Sequence, residues 1–215
     1  MAKFSIESKH PHANGWVIII DGMDMWSSYF PYWPDMPTSY LYEAIKQDWR
    51  EKITKKLGII YPFTWSRDIN DTQEVIEKLY ERIKSLNETG WPVYVLSHSW
   101  GTVLIYLALE KHPDIQVQKL LTLGSPISSV YPLIYGYTRA WLKKLDISSV
   151  SLPVNLKEWY NYYTMCDLVS GPISEIGKKH NFFNISLHLT NSACHSSYFN
   201  DKKKFDKILQ DMINK

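Results

Sequence analysis

The chain has 215 residues, 45% hydrophobic, 21% charged and 14% aromatic: enough apolar material for one core and, by length, one domain over residues 1–215. Lysine and arginine number 24 against 22 aspartates and glutamates, a net charge of +2, too even for nucleic-acid or membrane-surface attraction to be the main business. The longest apolar run, Val103–Leu109, falls far short of the roughly 20 residues of a spanning helix. Met1–Asn14 lacks the apolar stretch of a secretory leader. Two cysteines make no disulfide framework, and no Cys/His spacing matches a zinc site. The expectation is a cytoplasmic globular protein without metal.

In chain order, Trp16–Ile20 is a β-branched run ending in Asp21-Gly22, suited to a strand buried on both faces. Leu41, Ile45, Trp49 and Ile53 recur every fourth residue, predicting one amphipathic helix with Thr38 as cap and Gly58 past its end. Gly58–Tyr61 reads as a second strand. Asp71 and Glu74 make a capping-box pattern ahead of Val75, Ile76, Leu79, Ile83 and Leu86, with Gly90 as the stop. Val93–Leu96 is a third strand, Val103–Leu109 a mostly buried helix closed by Pro113, and Val117–Leu123 a fourth strand. Trp159–Thr164 and Asn184–Leu189 are weaker fifth and sixth strands, and a last helix covers Tyr198–Ile213. This alternation predicts an α/β three-layer sandwich: a mostly parallel sheet of about six strands with helices on both faces. Two aromatic-rich stretches fit no element, Asp24–Tyr42 (with Trp26 and Tyr29) and Ser128–Pro153 (with Tyr131). Both read as aromatics packed over the sheet ends or as binding loops, the second also as a candidate lid.

The most informative residues are Ser97-His98-Ser99-Trp100-Gly101, between the third strand and its helix. A nucleophilic serine on so sharp a turn demands small residues two positions before and after it, here Ser97 and Gly101. The turn also sets Ser99 at a helix N-terminus, where free N–H groups favour negative charge. The Trp100 N–H is then one oxyanion donor.

At this motif the chain resembles the α/β-hydrolase superfamily over roughly residues 16–210, with the lipase and esterase branch nearest. Three further stretches carry the likeness: Leu121-Thr-Leu-Gly-Ser-Pro126, Trp159 through Asp167-Leu-Val-Ser170, and His195-Ser-Ser-Tyr-Phe199. The chain departs from the family where Ser97 replaces the usual first glycine of the elbow and where Asp21-Gly22 stands in place of His-Gly. The family's N-terminal antiparallel strands are also expected to be missing ahead of Trp16. The resemblance implies a strand order of second-first-third-fourth-fifth-sixth and a Ser-Asp-His triad acting on esters.

Serine acyl transfer needs a base and a carboxylate that orients it, and in the family these follow the serine as acid, then histidine. His195 lies just beyond the final strand among small polar residues, and is preferred to His180 and His188; His98 is expected to point away from Ser99, and His112 to lie at the wrong end of the sheet. Asp167 follows the fifth strand and is the acid, with Glu175 as its rival. The first and third strands are neighbours whose crossovers leave in opposite directions, which opens a crevice between Gly22-Met23 and Ser99-Trp100. Met23 is expected to supply the second oxyanion N–H, with Gly22 allowing close approach. Gly22, Trp26, Tyr29 and Tyr131 are the expected substrate-binding residues, suited to a small ester with an apolar acyl or alcohol part. Cys166 and Cys194 are expected as two buried free thiols rather than a disulfide. No organic cofactor is called for. Thioester or amide cleavage, acyl transfer to an alcohol, and a non-catalytic binding protein of the same fold remain open as alternatives.

Overall fold

The computed structural model describes residues 14–23, 39–127, 140, 142–145, 147, 149–174, 176–187, 195 and 197–214. Among the described residues the sheet has six strands: β1 (Trp16–Ile20), β2 (Ile59–Phe63), β3 (Val93–His98), β4 (Val117–Leu123), β5 (Leu156–Tyr163) and β6 (Phe182–Ser186). Their order is β2-β1-β3-β4-β5-β6 and every pairing is parallel, as the resemblance implied. β2 and β6 begin and end within a few residues of their expected positions. Pro62 sits within the edge strand β2, opposite Ile19.

Side chains alternate across the pleat, so each strand feeds two cores. Ile18, Ile20, Val95, Leu120 and Trp159 face α3 (Thr72–Asn87) and α4 (Trp100–Lys111). Val17, Ile19, Leu96, Leu121 and Tyr162 face the opposite layer: α1 (Tyr40–Ala44), α2 (Gln47–Lys56) and α6 (Lys202–Asn214). A short helix, α5 (Ser197–Asn200), leads into α6. Each of these buried aliphatic side chains contributes about 1.5–3 kcal/mol. α4 is buried on all sides from Trp100 to Leu109. That explains why its sequence shows no polar stripe.

Two helix expectations need correction. The four-residue spacing from Leu41 to Ile53 does not make one helix, because Ile45 is extended (φ −76°, ψ 105°) and separates α1 from α2. Its side chain nevertheless stays in the same core as Leu41 and Trp49. The cap of α1 is Ser39, whose hydroxyl accepts the Tyr42 N–H; Thr38 lies outside the described residues. At α3, Asp71 makes no side-chain cap. Asp68 caps instead, accepting the Asn70 N–H ahead of a 3-10 turn that leads into the helix.

Candidate active site

β3 ends at His98 and α4 begins at Trp100, so the whole reversal falls on Ser99. Its φ of 51° and ψ of −126° lie where an L-residue pays about 1–3 kcal/mol. Three contacts hold that conformation. The Ser99 N–H donates to the Leu123 carbonyl at 2.9 Å. The Ser99 carbonyl accepts the Thr102 N–H and the Thr102 hydroxyl, at 3.0 and 2.7 Å. Gly101 must lack a side chain, since a Cβ there would fall 2.5 Å from the Asp21 carbonyl oxygen. At position 97 a serine fits because its hydroxyl, fully buried, reaches the Leu121 carbonyl at 3.3 Å.

The structure brings Ser99, His195 and Asp167 together. Ser99 Oγ lies 2.8 Å from His195 Nε2, and His195 Nδ1 lies 2.9 and 3.0 Å from the two Asp167 oxygens. Asp167 is fully buried and also accepts the Val169 N–H and the Tyr198 hydroxyl, each at 2.9 Å. Burial alone would push its carboxyl up; the hydrogen bond and charge of His195, with Val169 N–H and the Ser170 hydroxyl, outweigh it and hold the group at about 2. An ionised Asp167 cannot donate, so the proton between the two residues belongs to His195 Nδ1, and Nε2 is left to accept from the serine.

The acid loop is anchored from beneath. Asn161 of β5 donates to the Gly171 carbonyl at 3.1 Å, and Asn184 of β6 bonds both the N–H and the carbonyl of Ile173. The rivals stand elsewhere: His112 stacks on Tyr80 at the far end of the sheet and His180 is exposed, while Glu175 and His188 lie outside the described residues.

The first-strand loop is held by Asp21, which accepts from Ser39 Oγ, the N–H groups of Tyr40 and Leu41, and Arg67 Nη2 at 2.9–3.1 Å. Burial raises the Asp21 carboxyl despite these partners. Next along, a Cβ on Gly22 would fall 2.5 Å from Ser99 Cβ and 3.1 Å from its Oγ, so the backbone at 22 lies directly against the serine. Met23 follows, half-buried. Trp26, Tyr29 and Tyr131, and most of the 128–153 stretch through 148, lie outside the described residues.

One expectation is overturned. Cys166 is exposed and disulfide-bonded, not a buried free thiol, and the chain's only other cysteine is Cys194. The physical reason is local: each cysteine directly precedes one of two residues whose side chains bond at 2.9 Å. Sequence reasoning also missed Tyr40, Tyr198 and Gly124, and gave His98 no role. All four stand in segments already marked: Tyr40 in Asp24–Tyr42, His98 in the elbow, Gly124 in Leu121–Pro126 and Tyr198 in His195–Phe199. Among the described residues no cluster of three or more His, Cys, Asp or Glu side chains is placed to hold a metal ion, and no helix is long and apolar enough to cross a membrane.

No sequence-family profile matches the chain, and no curated protein matches it in sequence. Its backbone is similar to solved structures. A monoacylglycerol lipase from Paleococcus ferrophilus superposes with a TM-score of 0.58 at 13% identity, covering 94% of this chain and 95% of that one. The mature lipase BlEst2 from Bacillus licheniformis superposes with a TM-score of 0.53 at 12% identity, over 94% and 93%. At such identities the likeness concerns the fold. The chain has the α/β-hydrolase fold, with a sheet of six parallel strands.

Proposed function

We propose that this single-domain protein hydrolyses carboxylic esters through an acyl-enzyme formed on Ser99. The observation that carries the reading is the unbroken line of hydrogen bonds from Ser99 Oγ to His195 Nε2 and from His195 Nδ1 to Asp167, at 2.8 and 2.9 Å. Ser99 attacks the ester carbonyl as His195 takes its proton. Asp167 stabilises the imidazolium without becoming protonated. The tetrahedral oxyanion is received by the Trp100 N–H, in the first turn of α4 where no intrahelical acceptor exists, and by the Met23 N–H across the crevice. His195 then protonates the departing alcohol, and a water activated by the same imidazole releases the acid.

An apolar acyl or alcohol part suits the rim. Met165 and Leu168, flanking Asp167 in sequence, are 60% and 53% exposed, and with Trp26, Tyr29 and Tyr131 they are the proposed contacts. We retain the cytoplasmic placement as part of this reading. It carries one condition: the disulfide must be stable enough to resist the glutathione pool, as structural disulfides of low potential are.

The test is hydrolysis of a p-nitrophenyl butyrate ester alongside the thioester and anilide of the same acid. The wild-type protein cleaves the ester fastest and is labelled by a fluorophosphonate. Ser99→Ala abolishes labelling and lowers turnover by about 10⁴-fold or more. Unchanged activity in Ser99→Ala rejects the nucleophile, a faster thioester or anilide rejects the substrate class, and an unlabelled, inert wild type rejects the hydrolase reading.

A further inference from the structure

Beside the Ser99–His195–Asp167 line runs a second chain of hydrogen bonds that starts on the opposite wall of the crevice. The Gly22 N–H lies 2.8 Å from Tyr40 Oη, Tyr40 Oη lies 2.7 Å from His98 Nδ1, and His98 Nε2 lies 2.9 Å from the backbone carbonyl oxygen of His195. We propose that Tyr40 and His98 are positioning residues for the ester hydrolysis proposed above, tying the first-strand loop that presents Met23 to the loop that presents the imidazole of His195.

The direction of every proton in this chain follows from chemistry. A carbonyl oxygen only accepts, so His98 carries hydrogen on Nε2. The ring is buried and faces His195, and these two effects bring its pKa down to about 3. It is therefore neutral at ordinary pH, and Nδ1 is a bare acceptor. The single proton of Tyr40 goes to that nitrogen, and the tyrosine oxygen accepts from Gly22. The donors run one way, from β1 through α1 and the elbow to the base.

Packing leaves the imidazole little freedom to turn. Tyr40 and Phe199 both meet it edge-on, with ring centroids 5.7 and 5.2 Å away and interplanar angles of 85°. The two aromatic rings also touch each other, at 5.5 Å.

Two consequences bear on the reaction. First, the Gly22 N–H is committed to Tyr40, so the oxyanion donor from this loop must come from the next residue, Met23. Second, the His98 and His195 rings are only 4.9 Å apart. A charged His98 would oppose the imidazolium that forms on His195; burial and the facing His195 ring keep it neutral, which leaves Nδ1 free to act as the acceptor in the relay.

The experiment pairs kinetics with histidine ¹⁵N NMR on the intact chain. In the wild type, the His98 ring stays neutral with its proton on Nε2 from about pH 8 down to pH 5. Tyr40→Phe and His98→Leu each lower kcat by about 10–100-fold with KM within about two-fold, because loop misplacement is felt in the transition state. His98→Gln, whose amide oxygen and nitrogen can take the acceptor and donor roles, recovers most of the loss.

A His98 that titrates near 6.5 overturns the relay, whether or not any ester is cleaved. So does a folded His98→Leu with wild-type kcat, or a His98→Gln no better than His98→Leu. Should Tyr40→Phe fail to fold, the wild-type spectrum and the Gln/Leu pair still decide. A wild type that no fluorophosphonate labels sinks the ester reading instead, and the NMR signature reports on the hydrogen-bond chain separately.

Discussion

At Gly124 the backbone has φ of 60°, and a Cβ would meet Tyr198 Cε2 at 2.9 Å, Asp167 Oδ2 at 3.2 Å and His195 Cε1 at 3.2 Å. One missing methyl group thus leaves room for Asp167, His195 and Tyr198, whose hydroxyl donates to Asp167. Gly124→Ala adds about 1–2 kcal/mol of left-handed backbone cost to a packing clash of about 1–3 kcal/mol. Thermal melts should show a Tm lower by roughly 5–15 °C, with kcat reduced alongside; a variant with both unchanged would show that the site yields easily. Ser99 was legible because small residues at 97 and 101 and an apolar helix at 103–109 stand beside it in sequence. His98, Tyr40 and Tyr198 were not. The partners of His98 lie 58 and 97 positions away, and nothing local marks a hydrogen bond of that span.

The elements that carry the site differ in how they are fastened. Ser99 rides on β3 and α4, both deep in the core. Asp167 and His195 sit on loops 28 residues apart, and the acid loop is fastened by Asn161, Asn184 and the disulfide at Cys166. Reducing that bond, or Cys166→Ser, is expected to cost about 2–4 kcal/mol and to lower kcat more than it alters KM. A dithiothreitol titration read by activity and by melting checks this, and equal Tm and kcat in both redox states would contradict it. The six strands and their order could be read from β-branched runs and the family likeness. The break at Ile45 could not, because a residue leaving the helix while staying in the core preserves the same four-residue spacing. The capping pattern at Asp71–Glu74 misled for a related reason: Asp68, three residues upstream, takes the capping role at a 3-10 turn that no periodicity announces.

For the whole molecule, the buried acid makes stability depend on pH. The Asp167 carboxyl ionises at about 2 in the folded chain, against an ordinary 3.8. Between these values the unfolded chain binds the proton and the native chain does not. The contribution, roughly 2 kcal/mol, is therefore complete above about pH 4 and lost as pH falls toward 2. Asp21 works in the opposite sense, since burial raises its carboxyl and the native state gains from protonating it first. Urea unfolding of the wild type and Asp167→Asn between about pH 5 and pH 2.5 should give a flatter acid limb for the variant; parallel limbs would assign the acid sensitivity elsewhere.

Pro62, set in the outermost strand at the β2 margin, bears on what happens when these molecules crowd together. A strand at such a margin is an open invitation for a neighbouring chain to zip alongside it, and a proline there withholds one of the amide hydrogens that zipping requires. The ring is expected to act as a guard against runaway intermolecular sheet growth, keeping concentrated solutions of the protein clear.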